Sequence, residues 1–297
     1  MREPNSTRHQ KVLLKKRRFL RGILAVGVML AASMAAVAAG HDEKDPVTDK
    51  VEPVKVEPTA PGHATPANLA EKATDPSAVL MQMQFQWFDT KIEHSNFHVS
   101  KFVMQPVIPL SKKNVVRMTL PWLSMPGEEN RTRGLGDLSG IDFWLWHKGK
   151  STIGFGPAFS IPTATDDTLG SGKLSLGPDL LWIYAGVPKT TLGVLVTYLH
   201  SVAGDGDRDN VNAVALQPIY THHKKWGYFG WTSQQASYSW ESGLWQAPVG
   251  FLVGKVFMAK HVPWNINVEP FVMIKHERPN DYGIKFQWTA IFPKFHW

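Results

Sequence analysis

The stretch "LMQMQFQWF", residues 80–88, alternates apolar and amide side chains without interruption. An extended chain places successive side chains on opposite faces. One face therefore carries Met81, Met83, Phe85 and Trp87, and the other carries Gln82, Gln84 and Gln86. A soluble sheet would bury the methionines and leave the glutamines in water, whereas a membrane β-barrel would turn the apolar face to lipid and the glutamines to a wet interior. The rest of the chain decides between these two structures.

Strands like this one follow each other along most of the chain. We predict about twelve, each roughly ten residues long, which is the length that crosses a bilayer at a tilt of about 45°. Strands of soluble sheets are typically about five or six residues long. The predicted strands are 78–88, 98–110, 114–123, 136–146, 151–162, 173–186, 190–201, 211–221, 226–236, 244–257, 264–275 and 282–292.

The connections between these strands are sorted by length and charge. After the first, third, fifth and seventh strands they are longer and acidic, as in "TATDDTLGSG" (163–172) and "VAGDGDRDN" (202–210). After even-numbered strands they are short and basic, as in "SKKN" (111–114) and "HKGK" (147–150). Outer-membrane barrels alternate short periplasmic turns with longer external loops around an even number of strands. The pattern therefore predicts an all-β, transmembrane antiparallel β-barrel over residues 77–297, in the cell outer membrane.

The barrel hypothesis assigns each side chain of a strand to lipid or to the lumen. The residues predicted to face lipid are Met81, Met83, Phe85, Trp87, Phe286 and Trp288. Those predicted to line the lumen are Gln82, Gln84, Gln86, Asp179, Asn265, Asn267, Glu269, Lys285 and Gln287. An open polar pore and a plugged barrel whose interior charges pair with each other both fit this set.

The N-terminus has the composition of an export signal. Residues 1–38 contain eight of the 32 basic residues and one of the 25 acidic residues, so the remaining 24 of each sign cancel and nothing favours nucleic acid as a partner. A basic start, the apolar run "ILAVGVMLAASMAAVAAG" and small residues near Ala38 predict a secretory signal peptide, with an uncleaved anchor as the alternative. Residues 39–76, rich in proline, alanine and charge, are expected to form a flexible linker.

The predicted barrel resembles a known family. The stretches that carry the resemblance are Ile108–Asn114, Gly134–Trp144, Gly154–Tyr184, Ala247–Phe257 and Lys285–Pro293. In them the chain is similar to bacterial outer-membrane proteins grouped as the putative phenol-degradation meta-pathway, or transporter, family. The resemblance implies a secreted barrel that moves small, aromatic or hydrophobic solutes, and it implies no catalytic residues.

Other chemistry finds weaker support in the sequence. Asp205, Asp207 and Asp209 have the spacing of a calcium loop, but Leu216 stands where the bidentate acid is required, so an acidic external loop is favoured over a metal site. The chain has no cysteine, which excludes disulfides and thiolate chemistry, and we expect no cofactor and no enzyme activity. Serines such as Ser233 leave an outer-membrane lipid hydrolase as one alternative, and a structural surface barrel is another. The expected partners are outer-membrane lipids, a small-molecule solute and the barrel assembly machinery.

Overall fold

The described part of the chain is built almost entirely from β-strands. The computed structural model describes residues 71–93, 97–127, 130–259, 262–276 and 280–292, so the predicted signal peptide and most of the predicted linker lie outside the described residues. The strands are β1 (Met81–Lys91), β2 (His98–Ser111), β3 (Asn114–Pro126), β4 (Arg131–Leu135), β5 (Leu138–Lys148), β6 (Ser151–Ile161), β7 (Lys173–Tyr184), β8 (Thr190–Gly204), β9 (Asn212–Lys224), β10 (Gly227–Trp231), β11 (Ala236–Ser239), β12 (Trp245–Ala259), β13 (Val262–Lys275) and β14 (Asp281–Phe292). A 3₁₀ turn, Asp167–Leu169, lies between β6 and β7.

These strands form one closed antiparallel sheet. Apart from β4–β5 and β10–β11, each strand pairs with the next along the chain, and β1 pairs with β14 over Met81–Lys91 and Tyr282–Phe292, which closes the ring. β4 and β5 both pair with β3 and count as one interrupted strand, and β10 and β11 both pair with β9 and β12. Counted in this way, the described strands close into a barrel of twelve strands, as predicted, with β4 pairing only with β3.

The structure differs from the prediction where two strands are interrupted. The segment predicted as a single strand, 226–236, divides into β10 and β11 because residues 232–235 leave the ladder. The segment predicted as 136–146 begins earlier, with β4, and is interrupted at Gly136 and Asp137. Asp137 accepts hydrogen bonds from the backbone N–H of Ser171 (2.7 Å) and of Ala164 (3.3 Å), which tie the interruption to the long loop after β6.

The outer surface of the barrel is apolar. Phe85 lies between Trp288 and Phe102 with ring centroids 5.8 Å and 6.3 Å away, and Trp87 contacts Phe286 at 5.8 Å. Many large side chains on the outer face are exposed, among them Trp87, Trp122, Trp144, Trp146, Phe155, Leu180, Trp182, Phe251 and Ile266. A soluble monomer rarely exposes so large a continuous apolar surface, so this is the surface that a bilayer covers. Among the described residues, no helix has the length and hydrophobicity needed to cross a membrane.

Inside the barrel, the end that carries the short turns is filled by apolar side chains. One buried cluster joins Val107, Val115, Phe143, Leu145, Leu181, Ile183 and Leu195. A second cluster joins Leu80, Tyr228, Leu252, Val256 and Ile291 from the walls and the start of β1 with Ala73. These packed apolar side chains therefore occupy much of the lumen at this end of the barrel, stabilised by apolar burial and dispersion, while the middle of the interior is polar.

Candidate functional site

The lumen contains a cavity of about 570 Å³, a volume typical of small-molecule sites. Its wall is formed by inner-face residues of most of the strands, because period-two alternation sends every second side chain inward. Seven of the residues that the sequence predicted for the lumen line this cavity: Gln82, Gln84, Gln86, Asn265, Asn267, Lys285 and Gln287. The other two, Asp179 and Glu269, are fully buried on inner faces of the barrel. The cross-strand neighbour of Asp179 is Gly156 of β6, and that of Glu269 is Lys285 of β14.

The glutamines form a hydrogen-bonded band across four strands. Gln84 donates to Gln82 (3.0 Å), and Gln86 donates to Gln84 (3.5 Å) and to Gln105 of β2 (3.2 Å). Gln105 continues the band by donating to Thr119 of β3 (2.8 Å), and on the other side Gln287 of β14 donates to Gln84 (3.4 Å). Each amide has both donors and acceptors, so this amide band presents uncharged polar groups to a passing solute.

A charged cluster lies on the side of the amide band that is nearer to the long loops. Glu269 of β13 and Lys285 of β14 are cross-strand partners, with Nζ and Oε2 3.9 Å apart. Ser233 stands between them: its hydroxyl donates to Glu269 Oε2 (2.5 Å) and accepts from Lys285 Nζ (2.6 Å). A buried pair gains stability only when its remaining hydrogen-bonding capacity is also satisfied.

The interruption between β10 and β11 supplies those extra hydrogen bonds. Thr232 donates its hydroxyl to Glu269 (2.6 Å), and Gln234 donates its side-chain amide to the same carboxylate (3.0 Å). The backbone N–H of Ser233 lies 3.2 Å from both carboxylate oxygens. Residues 232–235 leave the strand ladder next to the Glu269 carboxylate. The hydrogen bonds to this carboxylate account for the interruption, which the alternation pattern did not predict.

This arrangement also bears on the hydrolase alternative. Ser233, the serine named for that alternative, lies next to Lys285, a potential base. The Lys285 ammonium donates to the Ser233 hydroxyl, and an ammonium that donates cannot accept the proton that a nucleophilic serine must lose. The hydroxyl instead bridges two opposite charges, which is a structural role.

A second charged layer lies on the opposite side of the amide band, nearer to the short turns. Arg117 of β3 interacts electrostatically with Asp179 of β7 and with Asp75. Thr197 of β8 donates its hydroxyl to Asp179. Burial raises the pKa of the Asp75 carboxyl, and hydrogen bonds from the Ser77 N–H (2.8 Å) and hydroxyl (2.7 Å) oppose that rise.

Asp75 belongs to a short segment, residues 71–80, that precedes β1 and lies inside the barrel. Ala73 packs in the cluster with Tyr228 and Leu252, and Thr74 Oγ1 lies 3.0 Å from His223 Nε2. Residues 73–76 and 78 line the same cavity as the amide band. The last residues of the predicted linker thus contact the inner wall of the barrel and narrow the lumen at the end with the short turns; we call residues 71–80 the inner segment.

Several lumen residues were not predicted from the sequence. Lys101, Gln105 and Arg117 share an inner face with valines, so their strands show little polar–apolar contrast. Tyr228 donates to Asn265 (2.6 Å) across β12, and this reach needs Gly254, because a Cβ there would collide with the Tyr228 ring. The Lys101–Gln105 spacing within β2 was the available signal, since residues four apart on a strand share a face.

The acidic loop after β8 makes its contacts within the protein. Asp205 accepts a hydrogen bond from the backbone N–H of Asp207 (3.0 Å), which is a turn contact. In the described ranges, no group of three side chains able to ligate a metal comes together. Arg208 from this loop donates to the backbone carbonyls of Asp167 (2.7 Å) and Gly170 (2.6 Å), so two of the long loops are joined.

Comparison with known proteins identifies the architecture. No protein-family model matches the sequence, and no curated protein sequence matches it. An outer membrane channel from Pseudomonas putida F1 is similar in structure, with a TM-score of 0.52 and 10% sequence identity over 72% of this chain and 95% of that chain. The NanC porin is also similar, with a TM-score of 0.50 and 9% identity over 70% of this chain and 98% of that one. The chain therefore has the fold of the transmembrane β-barrels of outer membranes.

Proposed function

We propose that this protein is an outer-membrane channel for small solutes. The observation that carries the proposal is a polar cavity of about 570 Å³ inside a closed barrel whose outer surface is apolar. A barrel that only anchored a surface structure would have no need of a cavity lined by amides and lysines. Lipids of the outer membrane would cover the outer surface, and the barrel assembly machinery would insert the exported chain.

The solutes that we propose are small and include aromatic or hydrophobic compounds. The volume of the cavity supports the size limit. The resemblance of segments such as Gly154–Tyr184 and Ala247–Phe257 to the phenol-degradation meta-pathway family supports the chemical class. The neighbouring structures are described as a channel and a porin, which also favours transport over surface structure.

The channel proposal predicts that the inner segment limits conductance. Residues 73–76 line the cavity near its narrow end, so their removal should widen the path. We expect a truncated protein that retains an export signal and continues from residue 77 to conduct more current in planar bilayers than the full-length protein. Liposome swelling with small uncharged solutes should accelerate in parallel.

The full-length protein, purified in the same way, is the control for this experiment. A truncated barrel that folds, as judged by heat-modifiable migration, but still conducts no ions and admits no solute would contradict the channel proposal. Equal conductance of the two proteins would show instead that the inner segment does not limit the path.

A second prediction concerns orientation. The strand ends joined by residues 111–114 lie at the same end of the barrel as the start of β1 at Met81, whereas residues 204–212 lie at the opposite end. An exported chain with an even number of strands should keep its basic turns in the periplasm. We expect a tag inserted in residues 205–210 to be labelled on intact cells, and a tag beside Lys112 and Lys113 to be labelled only after lysis. The reverse pattern would contradict this orientation.

A further inference from the structure

Three neighbouring strands present a row of two lysines and one aromatic ring to the lumen. Phe88 of β1 pairs with Lys101 of β2 on one side and with Lys285 of β14 on the other. Lys101 Nζ lies 4.2 Å and Lys285 Nζ 5.5 Å from the centroid of the Phe88 ring. Both distances fall within the range of cation–π attraction, so the ring helps to hold the two ammonium groups in place.

The charge of this row is only partly balanced. Lys285 is paired with Glu269 through Ser233, and the carboxylate is fully occupied by Thr232, Ser233, Gln234 and Lys285. Among the described residues, no ion pair or hydrogen bond joins Lys101 to a carboxylate, and Lys101 repels Lys285 electrostatically. The other charged layer, with Arg117, Asp75 and Asp179, lies beyond the amide band. One positive charge in the lumen near Phe88 is therefore uncompensated.

The surroundings of Lys101 favour an organic anion. Lys101, Phe88, Lys285 and Met273 all line the cavity, so ammonium groups and apolar surface are adjacent there. The carboxylate of an organic acid can accept charge-assisted hydrogen bonds from the Lys101 ammonium, while the apolar part of the same molecule contacts Phe88 and Met273. Gln86, on the next inner-face position of β1, and Gln105, two inner-face positions from Lys101 on β2, offer neutral donors beyond the lysines.

We propose that Lys101, Lys285 and Phe88 form a subsite that binds the carboxylate of a small organic acid during its passage through the lumen. This inference rests on the proposed channel function, and it specifies that the solutes of the channel include small organic anions. Lys101 provides the uncompensated positive charge, and the Phe88 ring holds the Lys101 ammonium in place. Lys285 contributes hydrogen-bond donors, while its own charge is balanced by Glu269.

The test uses benzoate as the probe, benzamide as its uncharged counterpart and chloride as a simple anion. The folded full-length protein in detergent micelles is titrated with each compound by calorimetry. Lys101→Gln should weaken benzoate binding about tenfold or more, because a hydrogen-bonded charge is lost. Lys101→Arg should retain most of the affinity, and benzamide should bind weakly to every variant.

Lys255→Gln is the matched control, because Lys255 is an exposed lysine on the outer face of β12. In planar bilayers, benzoate should reduce the ion current of the wild type and of Lys255→Gln but not that of Lys101→Gln. Benzoate affinity that is equal in wild type and Lys101→Gln, or chloride that competes as well as benzoate, would overturn the subsite. Benzoate binding that depends on Lys101, without any conductance, would support the subsite and contradict the channel. Conductance together with benzoate binding that does not depend on Lys101 would support the channel and contradict the subsite.

Discussion

Glu269→Leu is expected to lower the free energy of unfolding by about 3–5 kcal/mol, the usual cost of removing one member of a buried ion pair. The substitution leaves the Lys285 ammonium inside the barrel without its counter-charge. It also removes the acceptor of the hydrogen bonds from Thr232 and Gln234, so the interruption between β10 and β11 loses the contact that holds it. Urea unfolding from liposomes would measure the change.

A double variant distinguishes the cost of losing one charge from the cost of losing the whole ion pair. Glu269→Leu combined with Lys285→Met removes both charges together, and replacing a whole buried pair by apolar groups costs far less than removing half of it. The double variant should therefore recover much of the stability lost in the single variant. If Glu269→Leu alone were as stable as the wild type, water in the lumen would be solvating Lys285, and the charged cluster would not hold the barrel together.

The sequence could predict the barrel because strand alternation is local. Each strand carries its own period-two pattern, and the parity of turn length and charge is independent of register. The fold class and the number of strands are accordingly confirmed. The interruption at 232–235 was missed because its cause, the Glu269 carboxylate on β13, is distant in the sequence.

The candidate site was less predictable because it depends on which inner-face residues meet. Alternation placed both Glu269 and Lys285 inward, but their pairing is a matter of the register between β13 and β14. Lys101 was missed because Val103 and Val107 share its face and weaken the contrast with the lipid side. The inner segment has no periodicity, so nothing in its sequence indicates that Thr74 contacts His223.

Leu180→Arg is expected to destabilise the barrel by about 2–4 kcal/mol, the cost of an arginine near the midplane of the lipid face. Leu180 lies near the middle of the sheet on the outer face of β7, next to the inward-facing Asp179, and 47% of its surface is exposed. In a water-soluble protein, a change at so exposed a position alters stability by no more than about 0.5 kcal/mol. Unfolding from liposomes therefore discriminates between lipid and water at this surface.

Leu110→Arg is the matched control. Leu110 is similarly exposed, at 55%, but it lies near the end of β2 beside the turn at 111–114. An arginine near the membrane interface costs only about 0–1 kcal/mol, because its guanidinium can reach the headgroups. The expected result is a loss that depends on depth, large at Leu180 and small at Leu110. Small losses at both positions would mean that water covers the outer surface, and the apolar face of "MQMQFQW" would then need a protein partner instead of a bilayer.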